Sequence, residues 1–300
     1  MNAGRTDNRD PDTGPTAAQV LRPVVDDQVA AVQAADQELR LNDLSGVHRM
    51  RVALHRLSST LATFRPLLHD SVDPLTTELG WLAAELRPAQ DAQTQMARHL
   101  GNHDVDVSDL EETRVVLGPS LLALAQRARA RADEAWESER YAALIGDLRQ
   151  LFASNLVVRD RDAAATRVLP PLVGEALRRV RERAEQLDAG SERDVLIHDL
   201  RAATRRAGDV SPVLVPLFGK PASKLGRQLQ RLQDALGEWH DSDVARTLLL
   251  TLLRTADLDE NGAMLAHRLL AREEAMMSAV DARIPKLLGK LRRRGEFLDG

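Results

Sequence analysis

The chain has 300 residues, with 45 acidic against 41 basic side chains, and its formal net charge of −4 argues against a general binder of nucleic acid or anionic membranes. It has no cysteine, which excludes disulfides, thiolate zinc sites and cysteine nucleophiles and fits a reducing compartment. Hydrophobic residues make up 43% but aromatic ones only 3%, a composition for helices packed through Leu, Val and Ala rather than for an all-β barrel.

Residues 1–15 are polar and rich in Asp, Asn, Gly, Thr and Pro; they lack the apolar centre of a signal peptide and are read as a disordered lead. No apolar run approaches the roughly 18 residues that cross a bilayer, so the protein is expected to be soluble, cytoplasmic and away from membranes. Apolar spacing of three and four then recurs almost throughout, punctuated by Gly and Pro, and predicts helices joined by short loops. The predicted helices of the first half, 16–158, are 16–38, 46–69, 73–87, 89–101, 108–135 and 138–157. Those of the second half, 159–294, are 162–188, 192–209, 221–237, 239–256 and 261–294, followed by a tail over 295–300.

The halves repeat at an offset of 150 residues: His48 matches His198, Arg51 matches Arg201, Arg56 matches Arg206, and His55 is replaced by Arg205. The register continues through Leu75 and Leu225, Leu79 and Leu229, Leu82 and Leu232, Leu86 and Leu236, and Asp91 and Asp241. With no long Gly/Ser or Pro tract between them, the halves are expected to pack together.

Cations gather on this repeat. No acidic residue lies between Asp43 and Asp70, where Arg49, Arg51, Arg56 and Arg65 stand with three histidines, nor between Asp209 and Asp234, which enclose Lys220, Lys224, Arg227 and Arg231. At about 100° per residue, His48, Arg51 and His55 share one helix face, with Arg56 beside them and Met50, Leu54, Leu57 and Leu61 behind. His198, Arg201, Arg205 and Arg206 repeat that face. Lys220, Lys224, Arg227 and Arg231 form a third stripe at i, i+4, i+7 and i+11, where like charges repel by a few tenths of a kcal/mol per pair. A multiply charged anion would relieve all three faces: Arg offers a bidentate fork to phosphate oxygens, and His gains a proton readily beside phosphate. The stripe occurs once, so the second half is expected to supply more of the charge of a shared site. No acidic cluster is expected on the basic faces.

"GVHRMRVALHRLSSTLATF" resembles the opening motif of the CHAD domain family, "VLIHDLRAATRR" its second-half motif and "LQRLQDALGEWHDSDVA" the segment after it, while "ESERYAALIGDL" is similar to its middle helices. The resemblance spans about residues 20–285. It implies an all-helical fold of two four-helix-bundle-like halves related by a pseudo-twofold around a basic pore or groove. It also implies a non-catalytic module that binds or targets inorganic polyphosphate, with an association with polyphosphate granules. Carried over by position, the family's basic residues fall on His48, Arg51, Arg56, His198, Arg201, Arg205, Arg206, Lys224, Arg227 and Arg231. The sequence departs at His55, Ser58 and Gly208, where the family places further basic residues, and at Gln90 of "LRPAQD", where it has arginine.

Other constellations carry less. His99, His103, Asp104 and Asp106 have ligand types for a divalent metal, but a solvated helix end explains them as well. "WESERY" lacks the final Lys and the strand context of a triphosphate-tunnel enzyme, His240 with Asp241 and Asp243 has no serine partner, and there is no P-loop or dinucleotide fingerprint. No cofactor and no resident metal are expected, only divalent cations carried on the polyphosphate. Nucleic acid is the less favoured ligand, because stacking platforms need exposed aromatics. A metal-dependent phosphoanhydride hydrolase is the catalytic alternative.

Overall fold

A computed structural model describes residues 14–40, 45–70, 72–101, 107–153, 158–160, 162–187, 193–256 and 258–298. The helices are α1 (Ala17–Arg40), α2 (Ser45–Thr63), α3 (Val72–Leu100), α4 (Val107–Glu137), α5 (Glu139–Ala153), α6 (Ala165–Leu187), α7 (Arg193–Val210), the single turn α8 (Val215–Phe218), α9 (Lys220–Thr255) and α10 (Glu260–Gly295). Among the described residues there is no strand, only isolated bridges between Thr16 and Ala164 and between Leu68 and Val158. The fold is all-α. No described helix is long and apolar enough to cross a membrane.

Local chemistry sets several helix starts. Thr16 and Gln19 form a capping box before α1: the Thr16 hydroxyl accepts from the Gln19 amide at 3.3 Å, and the Gln19 side chain accepts from the Thr16 amide at 2.9 Å. Asp259 caps α10 by accepting from Gly262 N at 2.8 Å, and Ser138 accepts from Tyr141 N at 3.1 Å at the start of α5. The first residues of α1 and α6 run side by side, joined by Ala17 N to Ala163 O (2.8 Å) and Ala165 N to Pro15 O (3.0 Å).

Two predicted breaks are absent. Residues 73–87 and 89–101 form one helix, α3, through Pro88, and 221–237 and 239–256 form one helix, α9, through Gly237. An internal proline costs about 3 kcal/mol and a glycine about 1 kcal/mol. The same apolar face continues past each: Leu82, Leu86, Ala89 and Ala92 are buried on α3, and Leu232, Leu236 and Trp239 on α9. Each fully buried Leu contributes about 2 kcal/mol, so packing outweighs the local penalty. The predicted 46–69 helix instead ends at Thr63, and Arg65–Leu67 form a 3-10 turn at Pro66. The predicted tail is helical at its start: α10 reaches Gly295, and a 3-10 turn over Glu296–Leu298 sets Phe297 against Phe218, with ring centroids 5.3 Å apart.

Helices α1, α2, α3 and α4 pack in succession, as do α6, α7, α9 and α10, and the two series meet where α2 lies on α7. One core runs from α1 to α10, with Val29, Leu54, Leu57 and Leu79 in the same cluster as Val173, Leu200, Leu229 and Val280. A satellite cluster of Leu117, Leu121, Leu249, Leu252 and Ala266 joins α4, α9 and α10. The core sides of α2 and α7 leave their cationic sides facing the space enclosed with α3 and α9.

Candidate polyanion site

Four cationic or imidazole side chains, Arg51 and His55 from α2 with Arg201 and Arg205 from α7, form a wall shared by two cavities. The larger, about 510 Å³, is completed by Arg87 of α3, His198 and the small or apolar residues Leu54, Leu79, Gly80 and Ala83; among the described residues no carboxylate lines it. The smaller, about 290 Å³, adds His48, Arg56, Gln90, Gln233 and His240, together with three carboxylates, Asp91, Asp209 and Asp241. The expectation that no acidic cluster faces the basic residues is therefore corrected. Asp91 and Asp241 come from α3 and α9, so helices adjacent in space but distant in sequence bring them to the cations.

The cations repel one another and are only partly solvated. Burial, with Arg205 and Arg87 opposing Asp91, pulls the Arg51 guanidinium down to about 10; burial and Arg205 do the same to Arg201. Burial lowers Arg205 as well. Burial, then Arg205, Arg51 and Arg201, push the His55 imidazole down to about 3, and burial with Arg201 and Arg87 does so for His240. Both rings are neutral donor–acceptors at neutral pH. Asp209 is pushed up to about 6 by burial, against the pull of its hydrogen bond from Ser59 Oγ at 2.9 Å and of Arg205.

Among the described residues, Arg51, Arg56, Arg201 and Arg205 form no salt bridge. Arg51 is only 7% exposed; its Nη1 donates to Gln90 Oε1, while its Nε and the Nε2 of His55 have no partner. Gln90 Nε2 also lies 3.0 Å from His48 Nδ1, so this glutamine ties two cavity residues together. His198 is fixed differently: its Nε2 lies 3.3 Å from Asp243 Oδ2, and its ring meets Trp239 and His240 edge-on at 5.5 and 5.3 Å.

The sequence-derived residues do not all converge. Arg51, His55, Arg201 and Arg205 line both cavities, His48 and Arg56 the smaller and His198 the larger, whereas Arg206 and Lys220 are exposed and line neither. Lys224, Arg227 and Arg231 line a separate groove with Lys290, Arg293 and Arg294 of α10. On α9 the stripe points about 120° away from Gln230, Gln233, His240 and Asp241, so it adds no charge to the shared wall and the expected excess from the second half is corrected. Sequence reasoning missed Arg87, Gln233 and the placing of Asp91, Asp241 and His240. The repeat pairs Asp91 with Asp241 and is the one signal that marked them; Arg87 has Gly237 as its equivalent and carries no such mark. Of the suggested metal ligands, His103, Asp104 and Asp106 lie outside the described residues, and His99 is buried with its Nε2 unpartnered. No group of three or more ligating side chains occurs among the described residues.

The fold and site define an all-α protein with a semi-buried cluster of unpaired guanidinium groups. The CHAD domain family model matches residues 23–250, and the chain belongs to that family. Two solved structures share its architecture. PptA from Streptomyces chartreusis superposes with a TM-score of 0.73 at 19% identity, covering 91% of this chain and 99% of its own. The CHAD domain from the plant Ricinus communis gives a TM-score of 0.72 at 22% identity, covering 93% of both. At these identities the likeness is one of fold. No curated protein sequence matches the chain.

Proposed function

We propose that this protein binds inorganic polyphosphate at the Arg51–His55–Arg201–Arg205 wall and acts as a non-catalytic binding or targeting module. The observation that carries the reading is three buried or half-buried cavity arginines (Arg51, Arg201 and Arg205) without an ion pair among the described residues, in a chain whose 45 carboxylates outnumber its 41 Lys and Arg. Holding like charges half-buried and unpaired is unfavourable, and a phosphate chain supplies the missing counter-charge through charge-assisted bonds. The larger cavity is the expected seat, since no described carboxylate lines it and Arg87 and His198, paired at their outer sides with Asp91 at 3.6 Å and Asp243 at 3.3 Å, extend the wall there. On the other side, Asp91, Asp209 and Asp241 oppose an anion but tolerate divalent cations carried on it.

Support for a pseudo-twofold around this wall comes from Ser59 and Asp209, equivalent positions 150 residues apart that bond to each other, as residues near such an axis do. The halves 16–158 and 159–294 would then contribute one basic helix each. Nucleic acid fits less well: neither cavity is lined by Phe, Tyr or Trp, Phe64 is buried, and Trp81 is covered by Arg140 at 4.2 Å from the ring centroid. In the cell the reading places the protein in the cytoplasm, at polyphosphate granules.

Titration with polyphosphate of defined length across a salt series tests it. Affinity should fall steeply with salt by the counterion-release logic of nucleic-acid binding, and Arg201→Ala should cost about tenfold. A flat salt response, displacement by RNA at equal phosphate concentration, or turnover of polyphosphate or nucleoside triphosphate by the pure protein would each overturn the reading.

A further inference from the structure

The groove between α9 and α10 is a further concentration of positive charge. It encloses about 460 Å³ and is lined by Lys224, Arg227, Arg231, Lys290, Arg293, Arg294 and one neutral side chain, Gln228, with no carboxylate among the described residues. Gln228 is buried and donates to Leu287 O at 3.0 Å, which locks the two helices into register beneath the cations. The next carboxylate along this side of α9, Asp234, accepts from Gln230 and lies outside the groove.

Many surface arginines of this chain are matched with carboxylates, although others, such as Arg127, Arg149 and Arg206, have no ion pair among the described residues. Arg65 pairs with Asp70 and Asp73, Arg178 with Glu175 and Glu182, Arg140 with Glu78, Arg246 with Asp194 and Asp243, and Arg283, on α10 itself, with Glu238. Among the described residues, none of the six groove cations forms a hydrogen bond or an ion pair with a carboxylate. The helix dipoles explain only one side. Arg293 and Arg294 stand at the C-terminus of α10, where cations are favoured, but Lys220 and Lys224 crowd the N-terminal turns of α9, where they are not. Helix α9 also starts without an acidic residue in its first turn and without a side-chain cap, leaving amide donors beside those lysines.

We propose that the α9–α10 groove is a second anion site, separate from the central wall, that takes a phosphoanhydride chain of three or more phosphates. Lys224 to Arg231 spans about 10 Å of α9 and Lys290 to Arg294 about 6 Å of α10, two rows of donors facing an elongated guest. Two features favour a chain over a lone phosphate: the six cations and their two-row layout. The ligand class rests on the reading of the central wall; the existence of the site does not.

Calorimetric titration with tripolyphosphate tests this on the full chain. The unsubstituted protein should take up two equivalents. Substituting Lys224→Gln, Arg227→Gln, Arg231→Gln and Arg293→Gln, all at exposed positions, should leave one equivalent with central affinity changed less than about twofold. Substituting Arg201→Gln and Arg205→Gln should leave the other equivalent, weakened roughly 10- to 100-fold between 50 and 200 mM salt if about three charges are neutralised. Equal stoichiometry in the unsubstituted and groove-substituted proteins would overturn the second site while leaving the central reading intact. Unchanged titration on replacing Arg201 and Arg205 would sink the central reading alone. Displacement of tripolyphosphate from the groove by a single-stranded oligonucleotide, at equal phosphate concentration in the Arg201→Gln, Arg205→Gln protein, would overturn the ligand class.

Discussion

Asp209 places a titrating carboxyl beside Arg205 in the smaller cavity, where it would face an anion bound on that side. Burial raises this carboxyl to about 6, so it is neutral below that pH and opposes an anion above it. A polyanion bound beside it would raise it further, and one additional unit corresponds to a loss of affinity of about sixfold as pH climbs from 5.5 to 7.5. Asp209→Asn should flatten that pH profile and bind more tightly than the parent at pH 7.5, by up to about tenfold; an unchanged profile in binding titrations excludes the role. His55 and His240 act on stability with the opposite sign. Their folded values of about 3 lie below the ordinary 6.5, so the stability they contribute is present above 6.5 and is lost as pH falls towards 3. The slope is about 1.4 kcal/mol per pH unit for each histidine within that window. Denaturant unfolding of His55→Asn at pH 7 and pH 5 should show a shallower loss than the parent, and added polyphosphate should restore stability at pH 5.

At the scale of elements, the joint between α7 and α9 is set by Gly208. A Cβ there would lie 1.8 Å from Gln233 Nε2, which donates to Thr204 O at 3.2 Å and Arg205 O at 3.4 Å. The basic side chain that the resemblance led us to expect at position 208 is therefore incompatible with Gln233 in its present place. Gly208→Ala alone sets a helix-propensity gain of about 1 kcal/mol against the displaced glutamine bonds and should be neutral to destabilising. In a Gln233→Ala background the same change should stabilise by about 1 kcal/mol, and a double-mutant cycle by urea unfolding measures the coupling. The helix periods and most helix starts were legible in the sequence because they depend on side chains three or four residues apart. The unbroken courses of α3 and α9 were not, because Pro88 and Gly237 are local penalties overruled by contacts with helices far along the chain.

For the whole molecule, a largely buried ion pair joins α3 of the first half to the C-terminal helix α10. Arg98 of α3 donates from Nε to Glu273 Oε1 at 2.9 Å, and from Nη2 to Glu273 Oε2 at 2.5 Å and Ser242 Oγ at 2.7 Å, uniting α3, α9 and α10. Glu273 is 2% exposed, and its removal leaves a half-buried guanidinium uncompensated. Glu273→Ala should cost about 3 kcal/mol in thermal or urea unfolding, and pairing it with Arg98→Met should recover part of that loss. A loss below about 1 kcal/mol would mean that the pair is effectively solvated.

By itself the sequence determined the helical class, the twofold repetition and the basic faces of α2 and α7, because each is encoded in the spacing of neighbours on one helix. Which faces meet was decided only by tertiary packing. It brought Asp91, Asp241 and His240 onto the cationic wall, added Arg87, and turned Lys224, Arg227 and Arg231 away to join Lys290, Arg293 and Arg294. Periodicity fixes directions around one axis; the side on which another helix lies follows from how the apolar faces of all the helices are buried together.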